Sequence, residues 1–342
     1  MKDFAILLQL RVGSALCRMG VTATALMFAF VALPAQAQSP LESLVSVRAT
    51  VPADARTADA LGTEREGSGI VIGPDGLVLT IGYLILEAIS AEITLQDDRV
   101  VPAEVVAYDY ETGFGLLRPL TDTGLPSIKF GESAALQRDN PVLVASYTDP
   151  AAQTPTATAA YVVSRREFAG YWEYLLPDAI FTAPPHLSFG GAALIGADGR
   201  LLGIGSLFVS DAANPGMQQA GNMFVPIDAL KPILQDLQAH GQSQGPRRPW
   251  LGVFTEELRG HLFVYRVAPG GPAATAGLRV DDVILGVDGR PIAGMADFYK
   301  RIWALGGPGV KVPVTVLSGG RVEEMAITSG DRYDYLKLDP SF

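Results

Sequence analysis

The chain has 342 residues, of which 48% are hydrophobic and 18% are charged, so it can bury a substantial core and is long enough for two or three domains. This composition excludes an intrinsically disordered chain. The formal net charge of -10 argues against nucleic acid as a partner, because phosphate binding needs a basic surface.

The first 37 residues are predicted to be a cleavable signal peptide. Basic residues precede an apolar run over residues 21–33, and Ala35 to Ala37 form a small-x-small cleavage site. This run is shorter than the ~20 residues that a membrane-spanning helix needs. We therefore expect cleavage after Ala37 and no membrane span in the mature chain.

Cys17 is the single cysteine of the chain and lies within that signal. A lipid anchor is a poor interpretation, because Leu16 is bulky where a small residue is needed and the apolar run follows the cysteine. The mature chain would have no thiol and no disulfide, so its stability would depend on core packing alone. The predicted location is a bacterial periplasm.

After the signal, the chain is typical of a β-rich fold. Four short runs rich in β-branched residues are separated by turn residues and cover residues 67–73, 76–80, 91–96 and 100–109. A second block of similar character covers residues 159–209. Closely spaced strands in two blocks predict two packed β-barrels.

A helix is predicted after the second block. Asp228 is expected to cap it, and its apolar residues follow helical spacing: Leu230, Ile233, Leu234 and Leu237. The polar stretch that follows is interpreted as a linker. We place the end of the double barrel at residue 240 and the linker at residues 241–248.

The chain changes character after the linker. Trp250 opens the sequence W-L-G-V, which precedes P-A-A-T-A-G-L-R-V-D-D-V-I and V-D-G-R-P-I. Residues 297–305 can form a helix, and residues 310–317 and 322–329 can pair as strands. These motifs resemble a PDZ domain of the HtrA/Deg type, expected over residues 249–335, with a tail at 336–342.

Two segments before the linker resemble the trypsin-like domain of HtrA/Deg serine proteases: EGSGIVIGPDGLVLT, residues 66–80, and NMFVPIDALKPILQDL, residues 222–237. The expected fold is therefore mainly β, with a trypsin-like double β-barrel over residues 38–240 followed by a single PDZ domain. The resemblance also implies a homo-oligomer, which is a trimer in this family. Function has to be argued at the site, because one fold supports many functions.

The family's chemistry needs a serine nucleophile, a histidine base and an aspartate that orients the histidine. By the resemblance, Tyr83 stands at the histidine position and Gly113 at the aspartate position. Gly190 stands at the serine position, or Phe189 does if one residue is inserted in that loop. Neither alignment provides a serine, so no catalytic residue is predicted.

The histidines offer a check that does not depend on the alignment. The chain has three, His186, His240 and His261, and none precedes His186, although a trypsin-like triad takes its histidine from the first barrel. Ser188 and His186 could form an improvised pair, but no acidic residue lies nearby in sequence. We expect His186 to be a solvent-exposed loop residue. Metal-binding motifs are absent from the sequence, and no cofactor is predicted.

The PDZ domain is the predicted reader of protein C-termini or unfolded peptides. Such domains add an extended chain to a sheet edge, hold its terminal carboxylate with backbone amides and sort its last side chain in a pocket. Residues after Trp250 match the carboxylate-binding loop, and two helix residues are candidates for the pocket wall or for the core. The predicted peptide-binding residues are Trp250, Leu251, Gly252, Val253, Phe298 and Ile302.

The sequence thus favours a non-catalytic, peptide-binding or regulatory scaffold in the periplasm. One alternative is a serine-type endopeptidase of protein quality control with an unrecognised active site. Another is a holdase chaperone, for which the aromatic and charged segment Arg165–Tyr174 is a candidate surface, although this pattern is more often that of a half-buried strand.

Overall fold

The computed structural model describes residues 39–148, 155–336 and 338. The predicted signal peptide and most of the predicted tail lie outside these residues. All of the described residues belong to one compact unit, in which the strands form two closed barrels and one further sheet.

The first barrel has six antiparallel strands. They are β1 Leu44–Thr50, β2 Glu64–Val71, β3 Val78–Ile81, β4 Ser90–Thr94, β5 Val100–Tyr108 and β6 Phe114–Pro119. Their order around the barrel is β1-β2-β3-β6-β5-β4. The four runs predicted in this block fall on β2 to β5, because β-branched residues between tight turns favour short paired strands.

The second barrel also has six strands. They are β7 Pro141–Ser146, β8 Thr156–Gly170, β9 Tyr174–Ala183, β10 Ala193–Gly196, β11 Leu201–Val209 and β12 Gly221–Pro226. Their order is β10-β11-β12-β9-β8-β7. The strands β8 and β9 form a long hairpin whose turn contains Tyr171, Trp172 and Glu173.

The described helices are short. The α-helices are α1 Ala58–Leu61, α2 Leu234–His240, α3 Pro272–Ala276, α4 Met295–Ala304 and α5 Arg332–Tyr335. Single 3-10 turns cover Pro40–Ser43, Gly82–Leu84, Ser133–Ala135 and Ile227–Ala229.

The prediction that Asp228 caps a helix is wrong. Asp228 lies in a 3-10 turn, and helix α2 begins only at Leu234. The Asp228 carboxylate instead accepts a hydrogen bond from the backbone N–H of Ala134, at 2.7 Å, and pairs with Lys231. Tertiary contacts with Ala134 and Lys231 therefore engage the Asp228 side chain, which the local sequence predicts as a helix cap.

The third sheet belongs to the predicted PDZ domain. Its strands are β13 Val253–Leu258, β14 His261–Val267, β15 Val283–Val287, β16 Arg290–Pro291, β17 Lys311–Ser318 and β18 Arg321–Thr328. The order is β13-β14-β15-β17-β18, with β16 paired to β15, so β13 is an edge strand. On β17, Val312, Val314 and Val316 are fully buried, because alternate residues of a strand share one face.

The two barrels share one large hydrophobic core, the second barrel has a smaller cluster of its own, and the PDZ domain has a separate core. Leu175, on β9 of the second barrel, is a member of the PDZ core. The domains therefore share an apolar contact at the β8–β9 hairpin. Within the described residues, no helix has the length and apolar character needed to cross a membrane.

Candidate functional site

Tyr83 lies in the 3-10 turn after β3, and its hydroxyl points at the second barrel. The hydroxyl donates a hydrogen bond to the carbonyl of Ser206, at 3.0 Å. A β-bulge leaves Ser206 unpaired between β11 and β12, which frees this carbonyl to accept. Burial raises the pKa of the Tyr83 phenol. Tyr83 is thus a protonated donor to the backbone rather than a base.

Gly113 lies in the loop between β5 and β6 with a φ of 85°. Its carbonyl accepts from the N–H of Gly82, at 2.7 Å, which ties this loop to the turn that carries Tyr83. A Cβ built on Gly113 would lie 3.6 Å from the Tyr174 hydroxyl. That hydroxyl donates to the carbonyl of Thr112, at 2.7 Å. A buried aromatic side chain therefore borders the position where the resemblance expects an aspartate.

Gly190 lies beside Tyr83. A Cβ built on Gly190 would be 2.8 Å from the Tyr83 hydroxyl oxygen, and the Gly190 carbonyl accepts from the N–H of Ser68 on β2, at 2.9 Å. The Phe189 carbonyl accepts from the N–H of Ala192, at 3.0 Å. The loop between β9 and β10 is thereby docked on the first barrel, with Gly190 and Tyr83 in direct apposition.

His186 is 3% exposed, so the expectation of a solvent-exposed loop histidine is wrong. Its Nε2 lies 2.8 Å from the Ser146 hydroxyl and its Nδ1 lies 2.8 Å from the Thr158 hydroxyl. Burial lowers the pKa of His186 and favours the neutral imidazole. Because both ring nitrogens are bonded to these hydroxyls, His186 does not pair with Ser188.

A cavity of about 360 Å³ lies in front of Tyr83 and is shared by both domains. Tyr83 and Phe189 line it from the barrels, Trp172 from the β8–β9 turn and Trp250 from the PDZ domain. Three guanidinium groups also line it, those of Arg56, Arg266 and Arg332. No Asp or Glu among the described residues lines the cavity. The space next to Tyr83 is therefore mostly apolar, and its charged lining residues are cationic.

The predicted carboxylate-binding loop of the PDZ domain holds a carboxylate from this same chain. The Glu173 side chain accepts the N–H of Leu251 at 3.0 Å, of Gly252 at 2.6 Å and of Val253 at 2.8 Å. Glu173 is 5% exposed. Burial raises the pKa of Glu173, against the opposing effects of these amides and of Arg332. The loop amides are thus fully engaged within the molecule.

The predicted pocket-wall residues are core residues in this structure. Phe298 and Ile302, on α4, are both fully buried in the PDZ core, together with Leu175 of β9. Trp250 is 7% exposed and pairs with Gly330 across a β-bridge. The groove between β13 and α4 is filled by the β8–β9 turn, which bonds to Thr255 of β13 and to Tyr299 of α4.

Sequence reasoning did not identify Glu173 as a functional residue. The sequence predicts its segment, Arg165–Tyr174, as an apolar surface or a half-buried strand; in the structure the segment forms the end of the β8–β9 hairpin, and its turn contacts the PDZ domain. The one local feature that could have indicated its role is an acidic residue among aromatic residues in a turn. A carboxylate in apolar surroundings needs hydrogen-bond donors nearby.

No group of three or more His, Cys, Asp or Glu side chains that could hold a metal lies among the described residues.

Comparison with known families agrees with this architecture. The family of trypsin-like peptidase domains matches residues 67–204, and the PDZ domain family matches residues 249–328. The fold and the arrangement of the loops therefore define a trypsin-like peptidase domain joined to a PDZ domain.

Curated proteins with similar sequences have this same domain combination. A probable periplasmic serine endoprotease, DegP-like, of Pseudomonas fulva (strain 12-X) is 28% identical over 82% of this chain and 60% of its own length. Putative protease Do-like 14 of Arabidopsis thaliana is 27% identical over 68% of this chain and 58% of its own length. The chain has the HtrA/DegP-type domain combination and spans somewhat over half the length of these curated relatives.

Solved structures share the fold. An HtrA-type protease, AlgW with decapeptide, superposes with a TM-score of 0.51 at 23% identity, over 85% of this chain and 96% of that chain. A serine endoprotease from Yersinia pestis superposes with a TM-score of 0.50 at 23% identity, over 87% and 95% of the two chains.

Proposed function

We propose that this chain is a non-catalytic HtrA/Deg-like protein of the periplasm. Its peptidase fold is a scaffold, and its PDZ domain binds the C-termini of proteins or of unfolded peptides. The observation that carries this proposal is the direct apposition of Tyr83 and Gly190, with the Tyr83 hydroxyl donating to the backbone.

The geometry supports Gly190, rather than Phe189, as the equivalent of the nucleophile. In a triad the nucleophile lies within hydrogen-bond reach of its base. The Cβ direction of Gly190 leads to the Tyr83 hydroxyl at 2.8 Å, so a serine there would face that position. Neither glycine nor a protonated phenol performs nucleophile or base chemistry.

The second candidate, an endopeptidase with an unrecognised active site, draws on the relatives that are named serine endoproteases. Within the described residues, His186 is engaged by two hydroxyls and does not activate Ser188. The holdase candidate has weaker support, because the aromatic residues Phe168, Trp172 and Tyr174 of its proposed surface pack against the barrel core. Tyr171 is the exposed aromatic residue of that segment, at 49% exposure.

We expect no hydrolysis of unfolded casein by the purified protein and no labelling by a serine-reactive fluorophosphonate. Loss of one triad member removes most of a serine protease's rate, and here all three positions lack their group. Active trypsin in the same assay is the positive control. Labelling that disappears in Ser188→Ala would establish a serine nucleophile and refute the proposal.

Peptides with a free, apolar C-terminal residue should bind the full chain more tightly than their amidated forms. A charge-assisted hydrogen bond contributes on the order of 1.5–3 kcal/mol, so its loss weakens affinity by about tenfold or more. Fluorescence anisotropy with a peptide library measures the difference.

The variant Gly252→Val is the control for this measurement. Gly252 has a φ of 79°, and a Cβ there would lie 3.0 Å from the Ala268 side chain and 3.1 Å from the Trp250 ring. Valine therefore deforms the loop, and the preference for free acids should disappear. Equal binding of free acids and amides by the unmodified protein would show that its PDZ domain does not read C-termini.

A further inference from the structure

Glu173 occupies the position that a bound chain terminus would take. Its carboxylate accepts three consecutive backbone N–H groups, those of Leu251, Gly252 and Val253, at 2.6 to 3.0 Å. A terminal carboxylate has the same two oxygens and the same charge. The carboxylate-binding loop is thus occupied by a carboxylate of its own chain, with no partner protein bound.

The turn that carries Glu173 also lies where a peptide would bind in the groove of a PDZ domain. The N–H of Thr255, on the edge strand β13, donates to the Tyr171 carbonyl at 3.2 Å. On the other side, the Tyr299 hydroxyl of α4 donates to the Gly170 carbonyl at 2.8 Å and accepts from the Glu173 N–H at 3.2 Å. The turn therefore lies between β13 and α4, which is where a PDZ domain adds an extended peptide.

An apolar side chain accompanies the carboxylate. Leu175, two residues after Glu173, is 6% exposed and lies in the PDZ core with Leu251, Phe298 and Ile302. A PDZ ligand combines a carboxylate with an apolar side chain that enters a pocket. The β8–β9 hairpin provides both groups from within the chain.

Contacts around the turn hold it in this conformation. Glu173 has a φ of 56°, a region that costs about 1–2 kcal/mol for residues other than glycine and persists only when its surroundings enforce it. Arg332 donates to the Trp172 carbonyl at 3.1 Å, and Lys300 on α4 pairs with Glu167 at 2.7 Å. Because a buried carboxylate is costly without donors, Glu173 and the loop amides stabilise each other.

We propose that Glu173 is a built-in ligand of the carboxylate-binding loop, and that a partner with a free C-terminal carboxylate binds by displacing it. This inference rests on the proposed reader function of the PDZ domain. Displacement releases the β8–β9 turn, whose Trp172 lines the cavity in front of Tyr83. Occupation of the PDZ groove is thereby coupled to the shape of the cleft between the two domains.

Hydrogen exchange tests the internal ligand without any peptide. In the full chain, Glu173→Ala should accelerate exchange of the amides of Leu251, Gly252 and Val253 by about tenfold or more, because a charge-assisted bond of this kind changes an opening equilibrium by at least that factor. Glu173→Gln keeps the shape of the side chain without its charge and should give a smaller increase. Unchanged exchange in both variants would overturn the proposal.

The matched control is Glu167→Gln on the same hairpin. Glu167 forms an ion pair with Lys300 at the rim, where both side chains are partly exposed, so its loss should leave the loop amides protected. Equal acceleration in Glu167→Gln and Glu173→Gln would show that any loosening of the hairpin opens the loop, which would contradict a specific role for Glu173. Thermal unfolding of each variant checks that the fold is retained.

Peptide affinity tests whether a bound peptide displaces Glu173 from the loop, beyond the finding that Glu173 occupies it. With decapeptides that end in an apolar residue, Glu173→Ala should bind the free acids about tenfold tighter than the unmodified protein, whereas amidated peptides should change little. Unchanged free-acid affinity beside accelerated exchange would overturn displacement. If no peptide binds any variant although exchange accelerates, the proposed reader function fails and Glu173 is solely an architectural contact.

Discussion

Arg65→Met is expected to destabilise the protein by about 3 kcal/mol or more, because each buried carbonyl that loses its donor costs about 1–3 kcal/mol. Arg65 is 4% exposed. Its guanidinium donates to the carbonyls of Tyr83 at 2.9 Å, Leu86 at 2.8 Å and Gly62 at 3.1 Å. The substitution removes the donors to a carbonyl in the turn that carries Tyr83, to the Leu86 carbonyl just after it and to the Gly62 carbonyl after α1.

Thermal unfolding measures this effect, and Arg48→Met is the control. A loss of this size lowers the unfolding midpoint of a chain this long by about 6–12 °C. Arg48 lies on β1 and pairs with Glu66 at 2.6 Å, but its side chain is 55% exposed. Its loss should cost less than about 1 kcal/mol. Equal midpoints for both variants would mean that the buried network contributes no more than a surface ion pair.

Gly191→Ala is expected to cost about 2–5 kcal/mol, as the sum of overpacking and left-handed backbone strain. Gly191 has a φ of 74°, and a Cβ built on it would lie 1.9 Å from the Ser68 carbonyl oxygen and 2.8 Å from the Thr80 hydroxyl. The oxygen of Ser68 already accepts from Thr80, at 2.7 Å, so neither group can move freely. The methyl group should therefore push the β9–β10 loop off the first barrel.

The matched control is Gly199→Ala in the β10–β11 turn of the same barrel. Gly199 has a φ of 75°, and apart from its two chain neighbours no heavy atom of the described residues lies within 4 Å of a Cβ built there. Its substitution should show backbone strain alone, about 1–2 kcal/mol. Urea denaturation midpoints compare the two variants. Equal shifts would show that the contact between Ser68 and Gly191 tolerates a methyl group.

Much of the fold could be predicted from local sequence. The alternation of Val312, Val314 and Val316 indicates a strand with one buried face, and β17 has that form. The predicted helix at residues 297–305 is α4, Met295–Ala304. Such patterns are readable because strand and helix geometry fix which neighbours in sequence share a face. Asp228 shows where local sequence fails to predict structure. It is predicted to cap a helix, but its side chain contacts Ala134 and Lys231 instead.

The composition of the candidate site could also be predicted in part. The absence of any histidine before His186 is a property of the sequence and needs no structure. The burial of His186 could not be predicted, because it depends on hydroxyls from two other strands, those of Ser146 and Thr158. A loop histidine becomes a core residue only when the barrel closes around it.

The sequence by itself determined the double-barrel pattern and the PDZ pattern, and by resemblance it predicts tyrosine and glycine at the positions where the related proteases need a triad. The tertiary structure alone decided which groups meet. Tyr83 and Ser206 are 123 residues apart, and Glu173 and Leu251 are 78 apart. Local propensity acts over a few residues, whereas the occupant of the PDZ loop is selected by the packing of two domains, which brings one buried carboxylate to three amides that need an acceptor.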